Sequence, residues 1–235
     1  MHPTSILLAK RTVPNTRGKD TSLPEAPWVM PAENYSGLMG LLATHGTLWV
    51  GSSQPYKFPD QSRLRFSHTD KSFLEFIQAQ FSPWLEYWQG ITLDNNSANP
   101  RFRLHTINNP YVDYLYSQWV NDGDLILPWH FETFFTWKTL AFWAMRTGKL
   151  DSTSLHLSVV TLCMEDKLRF LALIQGLGLV AKLSKDGNYI AIRNFSAWQH
   201  NVIPYFHESL LYRVTVKAKE TAKYRRANNI RHKKT

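Results

Sequence analysis

The segment "LMGLLATHG", Leu38–Gly46, organises the whole chain, because its form returns 102 residues later. The second copy is "LAFWAMRTG", Leu140–Gly148. Each copy starts with leucine, runs for seven residues and then ends with one polar residue, His45 or Thr147, and a glycine. An apolar segment of this length that closes at glycine is typical of the opening turns of a buried helix.

A second pair of matching segments supports a duplication. "FLEFIQ" at 73–78 returns as "FLALIQ" at 170–175, an offset of 97 residues. Two matches at nearly equal spacing predict a tandem repeat whose loops absorb the difference. Each half reads as helix, two strands, helix, two strands, helix. We therefore predict an α+β fold of two α-β-β-α-β-β-α repeats, the first over residues 31–125 and the second over 126–216.

Local signals place individual elements. The apolar pattern predicts a helix over residues 36–44 and a single long helix over 131–145, which includes part of the second copy. Either Thr69 or Asp70 is placed to cap the N-terminus of the helix that follows it. A strand is predicted around residues 85–91.

Four predicted strands alternate apolar with polar residues, so each has one buried face and one polar face. In the first of them, Leu64 and Phe66 alternate with Arg63 and Arg65. The polar faces of the four strands hold five arginines and no acid, and their residues are Arg63, Arg65, Ser67, Arg101, Arg103, His105, His156, Ser158, Tyr189 and Arg193. An ordinary solvated face mixes charge signs, so we interpret this face as a surface that contacts nucleic-acid phosphates.

Positive charge is concentrated toward the two ends of the chain. The formal net charge is +9 over 235 residues, and the tail at 217–235 holds eight Lys/Arg against one Glu. These cations are Lys217, Lys219, Lys223, Arg225, Arg226, Arg231, Lys233 and Lys234. Such a tail suits a polyanion such as nucleic acid, and the alternative is a tail that only improves solubility. Residues 1–30, rich in Pro and Thr, read as a basic N-terminal arm.

Composition also argues against other classes of protein. Cys163 is the single cysteine, which excludes an intramolecular disulfide. The longest apolar stretch, residues 134–145, contains Lys138 and is too short to span a bilayer. No membrane partner is therefore expected.

The two repeated segments resemble the motifs of the LAGLIDADG family of homing endonucleases and maturases, in its form with two motifs on one chain. They match the family's nine-letter motif at Leu38, Gly40, Leu41, Gly46, Leu140, Ala141 and Gly148. The resemblance runs over about residues 35–214 and includes "ILPWHFE" before the second motif and "IPYFHESLLYRV" at its end.

The resemblance implies that the two motif helices pack together at a pseudo-two-fold axis, where small residues let their backbones approach. Gly40, Ala43, Ala141 and Ala144 are the small residues expected in this contact. It also implies two saddle-shaped antiparallel sheets that lie on nucleic acid, with helices packed on their other face. A chain that carries both motifs would form this pseudo-dimer internally and would act as a monomer.

The same resemblance bears on catalysis. In the family, the acid immediately before each motif glycine binds divalent metal at the scissile phosphates. The matching positions here hold His45 and Thr147, and Arg146 places a cation beside the second. Because Mg²⁺ prefers carboxylate and water oxygens, we assign no catalytic residue, metal or cofactor. Magnesium is expected only if the chain is an active endonuclease after all.

We therefore expect a catalytically inactive family member that binds nucleic acid, with structured RNA favoured over DNA. A maturase-like role in intron splicing or a ribosome-associated role would add splicing or ribosomal proteins as partners. Members of this family are frequently encoded in organelle genomes, so we expect an organellar location, in the mitochondrion rather than the plastid. Trp49, Trp84 and Trp88 could stack on unpaired bases or belong to the core. Two alternatives stay open: an active metal-dependent endonuclease for double-stranded DNA, and a protein scaffold within a larger organellar assembly.

Overall fold

The computed structural model describes most of the chain between Met30 and Val214. The described residues are 30–44, 48–50, 62–85, 88–94, 100–107, 110–121, 123–151, 154–193 and 195–214. The predicted basic arm apart from Met30, the cations of the basic tail, His45 and the side chain of Trp49 lie outside this description.

The described elements form two halves with the same order. The first half comprises α1 (Ala32–Leu42), β1 (Leu48–Val50), β2 (Ser62–His68), α2 (Lys71–Phe81), β3 (Trp88–Asp94), β4 (Arg101–Thr106) and α3 (Pro110–Trp119). A connection follows, with β5 (Val120–Asn121), β6 (Asp124–Leu125) and the short helix α4 (Phe131–Phe134). The second half comprises α5 (Trp137–Thr147), β7 (Lys149–Leu150), β8 (Leu155–Ser158), α6 (Met164–Gly176), β9 (Ala181–Leu183), β10 (Tyr189–Ile192) and α7 (Phe195–Val202). The 3₁₀ turns Ile203–Tyr205 and Glu208–Arg213 follow α7.

The two halves build the same antiparallel sheet. The strand order is β1-β2-β4-β3 in the first half and β7-β8-β10-β9 in the second. The echo of "FLEFIQ" in "FLALIQ" falls on α2 and α6, where Phe73 and Phe170, and Ile77 and Ile174, are fully buried. The predicted α+β architecture of two α-β-β-α-β-β-α repeats is confirmed.

Thr136 breaks the long helix that the sequence predicts over residues 131–145. Its hydroxyl accepts a hydrogen bond from the backbone N–H of Lys138, while its own N–H donates to the Thr139 hydroxyl. This reciprocal capping starts α5 at Trp137 and leaves α4 as a separate turn. The long-helix prediction was wrong because it followed apolar content and overlooked a threonine pair that competes with helix continuation.

Two other boundaries differ from prediction, and one is confirmed. Helix α1 starts at Ala32, four residues before the predicted start at residue 36, because Pro31 precedes it as the N-cap residue. Strand β3 starts at Trp88 and not at Leu85, whose N–H still bonds a carbonyl of the last turn of α2. Asp70 caps α2 as predicted, accepting a hydrogen bond from the N–H of Ser72 at 2.9 Å.

The motif helices α1 and α5 pack against each other through a reciprocal contact. A Cβ atom on Gly40 would collide with the carbonyl oxygen of Thr139, and one on Gly37 would meet the Phe142 ring at 3.3 Å. With the offset of 102 residues, Phe142 is the counterpart of Gly40, and Thr139 is the counterpart of Gly37. Such an exchange of partners is what a two-fold axis between the helices requires.

The four small residues expected in this contact are all at the helix pair. Ala43, Ala141 and Ala144 are at most 1% exposed, and Gly40 is buried. On α5, however, the atoms nearest to Gly40 belong to Thr139 and Phe142. At the N-terminal ends of the two helices, the Ser36 hydroxyl hydrogen-bonds to the hydroxyls of Thr136 and Thr139.

In the part of the chain that the structure describes, no helix is long and apolar enough to cross a membrane.

We predict that Gly40→Ala lowers the free energy of unfolding by about 1–3 kcal/mol or more, because overpacking would force the helices apart. Gly176→Ala is the matched control, since a Cβ there meets nothing within 4 Å. An alanine at that helical position should stabilise the protein by about 0.5–1 kcal/mol. Chemical denaturation of both variants gives the comparison, and equal stability of Gly40→Ala and wild type would contradict the observed contact.

We also predict acid sensitivity at His130, which is buried 2.6 Å from the Tyr35 hydroxyl. Burial lowers the pKa of His130 from 6.5 to about 4, so the unfolded chain takes up this proton at higher pH than the folded protein does. The free energy of unfolding should therefore be highest above pH 6.5 and should fall by about 3 kcal/mol as the pH drops toward 4. His130→Gln keeps an acceptor for Tyr35 and should weaken this dependence in denaturation series at several pH values. An unchanged dependence would show that other groups cause it.

Candidate nucleic-acid interface

A cleft of about 690 Å³ opens at the C-terminal ends of the two motif helices. Its lining residues are Thr44, Ser67, His68, Thr69, Arg101, Arg146, Thr147, Ser158, Val160, Thr161 and Arg213. Ser67 and Arg101 come from the predicted polar face of the first sheet, and Ser158 comes from that of the second. The two polar faces therefore meet at this cleft.

Arg146 lies at the pseudo-two-fold axis of the cleft. Its Nε donates to the Thr44 hydroxyl at 3.2 Å, and one of its terminal nitrogens donates to the Ser67 carbonyl oxygen at 3.2 Å. Thr44 and Arg146 are counterparts under the offset of 102 residues. A contact between two counterpart positions must lie on the axis that relates the halves.

The electrostatic environment of the cleft is cationic. Burial and then the charge of Arg101 lower the pKa of Arg146 to about 10, so the guanidinium stays protonated at neutral pH. Burial, followed by Arg213, lowers the pKa of His68. Burial is the largest cause of both shifts; the neighbouring arginines add to it, and Asp70 opposes it at His68.

The polar residues that precede the two motif glycines are Thr147 and His45. Thr147 is the last residue of α5, lines the cleft and donates its hydroxyl to the Trp143 carbonyl oxygen at 3.4 Å. His45 lies outside the described residues. The described residues that line the cleft include no Asp or Glu.

On the first sheet, the predicted polar residues lie side by side. Arg65 pairs with His105 across β2 and β4, and Ser67 pairs with Arg103. Residues Arg63, Arg65 and Ser67 are half-buried and alternate with fully buried Leu64 and Phe66, as the sequence predicts. Burial and the charges of Arg63, Arg65 and Arg103 lower the pKa of His105. The face is therefore a concentrated patch of positive charge.

One acidic side chain, from β3, also lies on this face. The sequence analysis assigned no polar face to β3. Asp94, at the end of β3, pairs in register with Arg101 and forms an ion pair with Arg103. The predicted β3 stopped at residue 91, so this carboxylate was missed. Arg103 is thus partly neutralised within the protein.

The second sheet carries fewer arginines and two lysines that the sequence analysis missed. Register pairs align Lys149, His156, Ala191 and Lys182 across its four strands. Lys182 is exposed between Ala181 and Leu183. This alternation of apolar and polar residues would have been enough to place Lys182 on the polar face. Lys149 lies on a strand of two residues, which is too short to show a pattern.

The predicted residues of the second sheet also lie on its polar face. His156 is 2.8 Å from a carboxylate oxygen of Asp151, and its ring centroid is 4.7 Å from that of Tyr189. Tyr189 pairs with Ser158, and Arg193 follows β10 as an exposed residue. This face is less densely charged than that of the first sheet.

Two of the three proposed stacking residues, Trp84 and Trp88, pack against the core. Trp84 and Trp88 are half-buried against it, and the Trp88 ring centroid is 6.1 Å from that of Phe66. Trp88 pairs in register with buried Thr106, which places it on the apolar side of the first sheet. The core interpretation therefore fits both tryptophans.

The model of the LAGLIDADG DNA endonuclease family matches residues 38–201. Among curated proteins, none matches the chain in sequence.

Solved structures with a similar fold share little sequence with the chain. The homing endonuclease I-WcaI, bound to its DNA recognition sequence, has a TM-score of 0.65 at 19% identity. The matched region covers 80% of this chain and 88% of the I-WcaI chain. A variant of I-DmoI with its target DNA and 2 mM Mg has a TM-score of 0.51 at 11% identity, covering 75% and 98%. Full-length DUF199/WhiA from Thermatoga maritima has a TM-score of 0.50 at 10% identity, covering 85% and 67%. At these identities the likeness shows the fold alone.

We predict that Arg65→Gln raises the pKa of His105, because it removes one of the cations that lower it. Arg169→Gln is the control. It removes the same charge from a residue paired with Glu132 and Asp166, neither of which adjoins His105 in the sheet. Titration of the histidine ring protons by NMR measures both variants. If Arg65→Gln left the His105 pKa unchanged, the two side chains would not share a face.

Proposed function

The chain belongs to the LAGLIDADG DNA endonuclease family, and from this premise we propose that it binds nucleic acid without cutting it, with structured RNA as its preferred ligand. The observation that carries the proposal is the chemistry of the cleft. Where the motif helices end, the described lining residues supply guanidinium groups, hydroxyls, a histidine and valine, and no carboxylate.

Family membership implies divalent metal at this place, and the described residues do not suit it. Mg²⁺ prefers carboxylate and water oxygens and would stand here beside Arg101, Arg146 and Arg213. Two acids close to the cleft in sequence have other partners: Asp70 caps α2, and Asp151 binds His156. We therefore derive no step through a metal ion.

The distribution of charge supports nucleic acid as the class of ligand. The polar face of the first sheet and the cleft form one continuous cationic surface through Arg101, which belongs to both. A phosphate polymer is the ligand that such a surface attracts most strongly. The cations of the basic tail would add contacts that do not depend on sequence.

We further propose that the ligand is RNA rather than DNA. A surface that holds phosphates but lacks cutting chemistry remains useful where a folded RNA must be held in one shape. Intron splicing, as in the maturases, or assembly with a ribosome would meet that description. An organellar location, in the mitochondrion before the plastid, belongs to the same proposal.

We predict that crosslinking in the protein's native cells, followed by sequencing, enriches one structured RNA. The enrichment should survive deletion of residues 217–235, because the sheet and the cleft provide the specific surface. Enrichment of a single DNA locus would contradict the RNA preference, and cleavage of that locus by the protein with Mg²⁺ would contradict the absence of cutting.

A charge-reversal variant tests whether the sheet forms the surface. Arg63→Glu combined with Arg65→Glu should weaken binding of the recovered RNA by at least about tenfold, since each lost phosphate contact also introduces repulsion. Arg169→Gln should leave binding unchanged, because that residue is already paired with two acids. Fluorescence anisotropy with the full-length chain gives both values. Unchanged affinity in the double variant would show that the polar face of the first sheet does not form the binding surface.

A further inference from the structure

Arg146 donates hydrogen bonds to two neutral groups from the first half of the chain. The contacts described above join its guanidinium to the Thr44 hydroxyl and the Ser67 carbonyl oxygen. These bonds hold a cation at the pseudo-two-fold axis, between the two halves of the chain. A guanidinium presents planar N–H donors that match the oxygen geometry of a phosphate.

The helix ends offset only part of the positive charge in the cleft. The C-terminal ends of α1 and α5 meet there, and each carries partial negative charge of about half an elementary charge. Arg213 donates to the Gly148 carbonyl oxygen at 3.1 Å at one of these ends. Among the described lining residues, the three guanidinium groups of Arg101, Arg146 and Arg213 carry more positive charge than the two helix ends offset.

A phosphate group balances this excess, and a divalent cation increases it. The cleft, at about 690 Å³, has room for a phosphodiester group. Thr161 and Ser158 add hydroxyl-bearing side chains from the second half of the chain. The positive charge of the cleft therefore disfavours Mg²⁺ and favours an anionic ligand.

We propose that Arg146, with Arg101, binds a backbone phosphate of the nucleic acid directly at the pseudo-two-fold axis, in the place where the family binds divalent metal. The inference rests on the proposed function, because it names how that surface engages its ligand. It follows that the protein binds nucleic acid as well in EDTA as in Mg²⁺.

The salt dependence of binding tests this contact. The full-length protein is titrated with a fluorescent mixed-sequence RNA hairpin, and with a DNA duplex of the same sequence, over a series of KCl concentrations. Each protein–phosphate contact contributes about 0.7–0.9 to the slope of log K against log [KCl]. Arg146→Gln and Arg101→Gln should each lower that slope by about this amount. Arg101 is exposed at the start of β4, so its variant remains informative if the Arg146 variant is unstable.

Controls separate a phosphate contact from a structural role. Arg169→Gln should leave the slope at the wild-type value, since its charge is balanced by Glu132 and Asp166. Replacing Mg²⁺ by EDTA at matched ionic strength should change the wild-type affinity by less than about twofold.

The outcomes distinguish this inference from the function on which it rests. Lower slopes in both cleft variants together with metal-independent binding would support the inference. Unchanged slopes in folded cleft variants, or binding that requires Mg²⁺, would overturn it while nucleic-acid binding itself stands. If the wild-type protein bound neither probe, the proposed function and the inference would both be overturned.

Discussion

The close approach of α1 and α5 is the constraint on which the rest of the structure depends. Gly40 has no side chain, so the backbone of one motif helix can lie against Thr139 of the other. This contact sets the pseudo-two-fold axis and places a sheet on either side of it. It also brings the C-terminal ends of both helices to one place, where Thr44 and Arg146 meet. The cleft is therefore a consequence of helix packing.

What the cleft can do depends on the residues at those helix ends. A helix C-terminus favours cations, so arginines there are compatible with the fold without any ligand. Their number is the informative feature, because the three guanidinium groups of the described lining exceed what two helix ends can offset. The described cleft thus combines the close helix contact with positive charge that the helix ends do not balance.

Much of the architecture could be predicted from the sequence, because it depends on local patterns that repeat. The alternation in β2 and β4 was enough to place Arg65, Ser67, Arg103 and His105 on one face, and register then made them neighbours. The N-cap at Asp70 could also be predicted, since an acidic residue directly precedes an amphipathic segment. Both kinds of signal act over a few residues, where sequence and structure correspond most directly.

The features that escaped prediction depend on distant pairing. Asp94 reaches Arg103 only through the register of β3, and Lys149 lies on a strand too short to show alternation. Arg213 follows α7 in a 3₁₀ turn, and nothing in its neighbourhood indicates that it returns to Gly148. Counterpart positions such as 44 and 146 could have been inferred from the offset, but their direct contact required the geometry of the helix pair.

A structure of the full-length protein bound to its crosslinked nucleic acid, determined in the presence of Mg²⁺, tests the central claim most directly. The account predicts an unbroken backbone across the cleft, with a phosphate oxygen bonded to the Arg146 guanidinium. A divalent cation seated between the ends of α1 and α5, beside a cleaved strand, would contradict it.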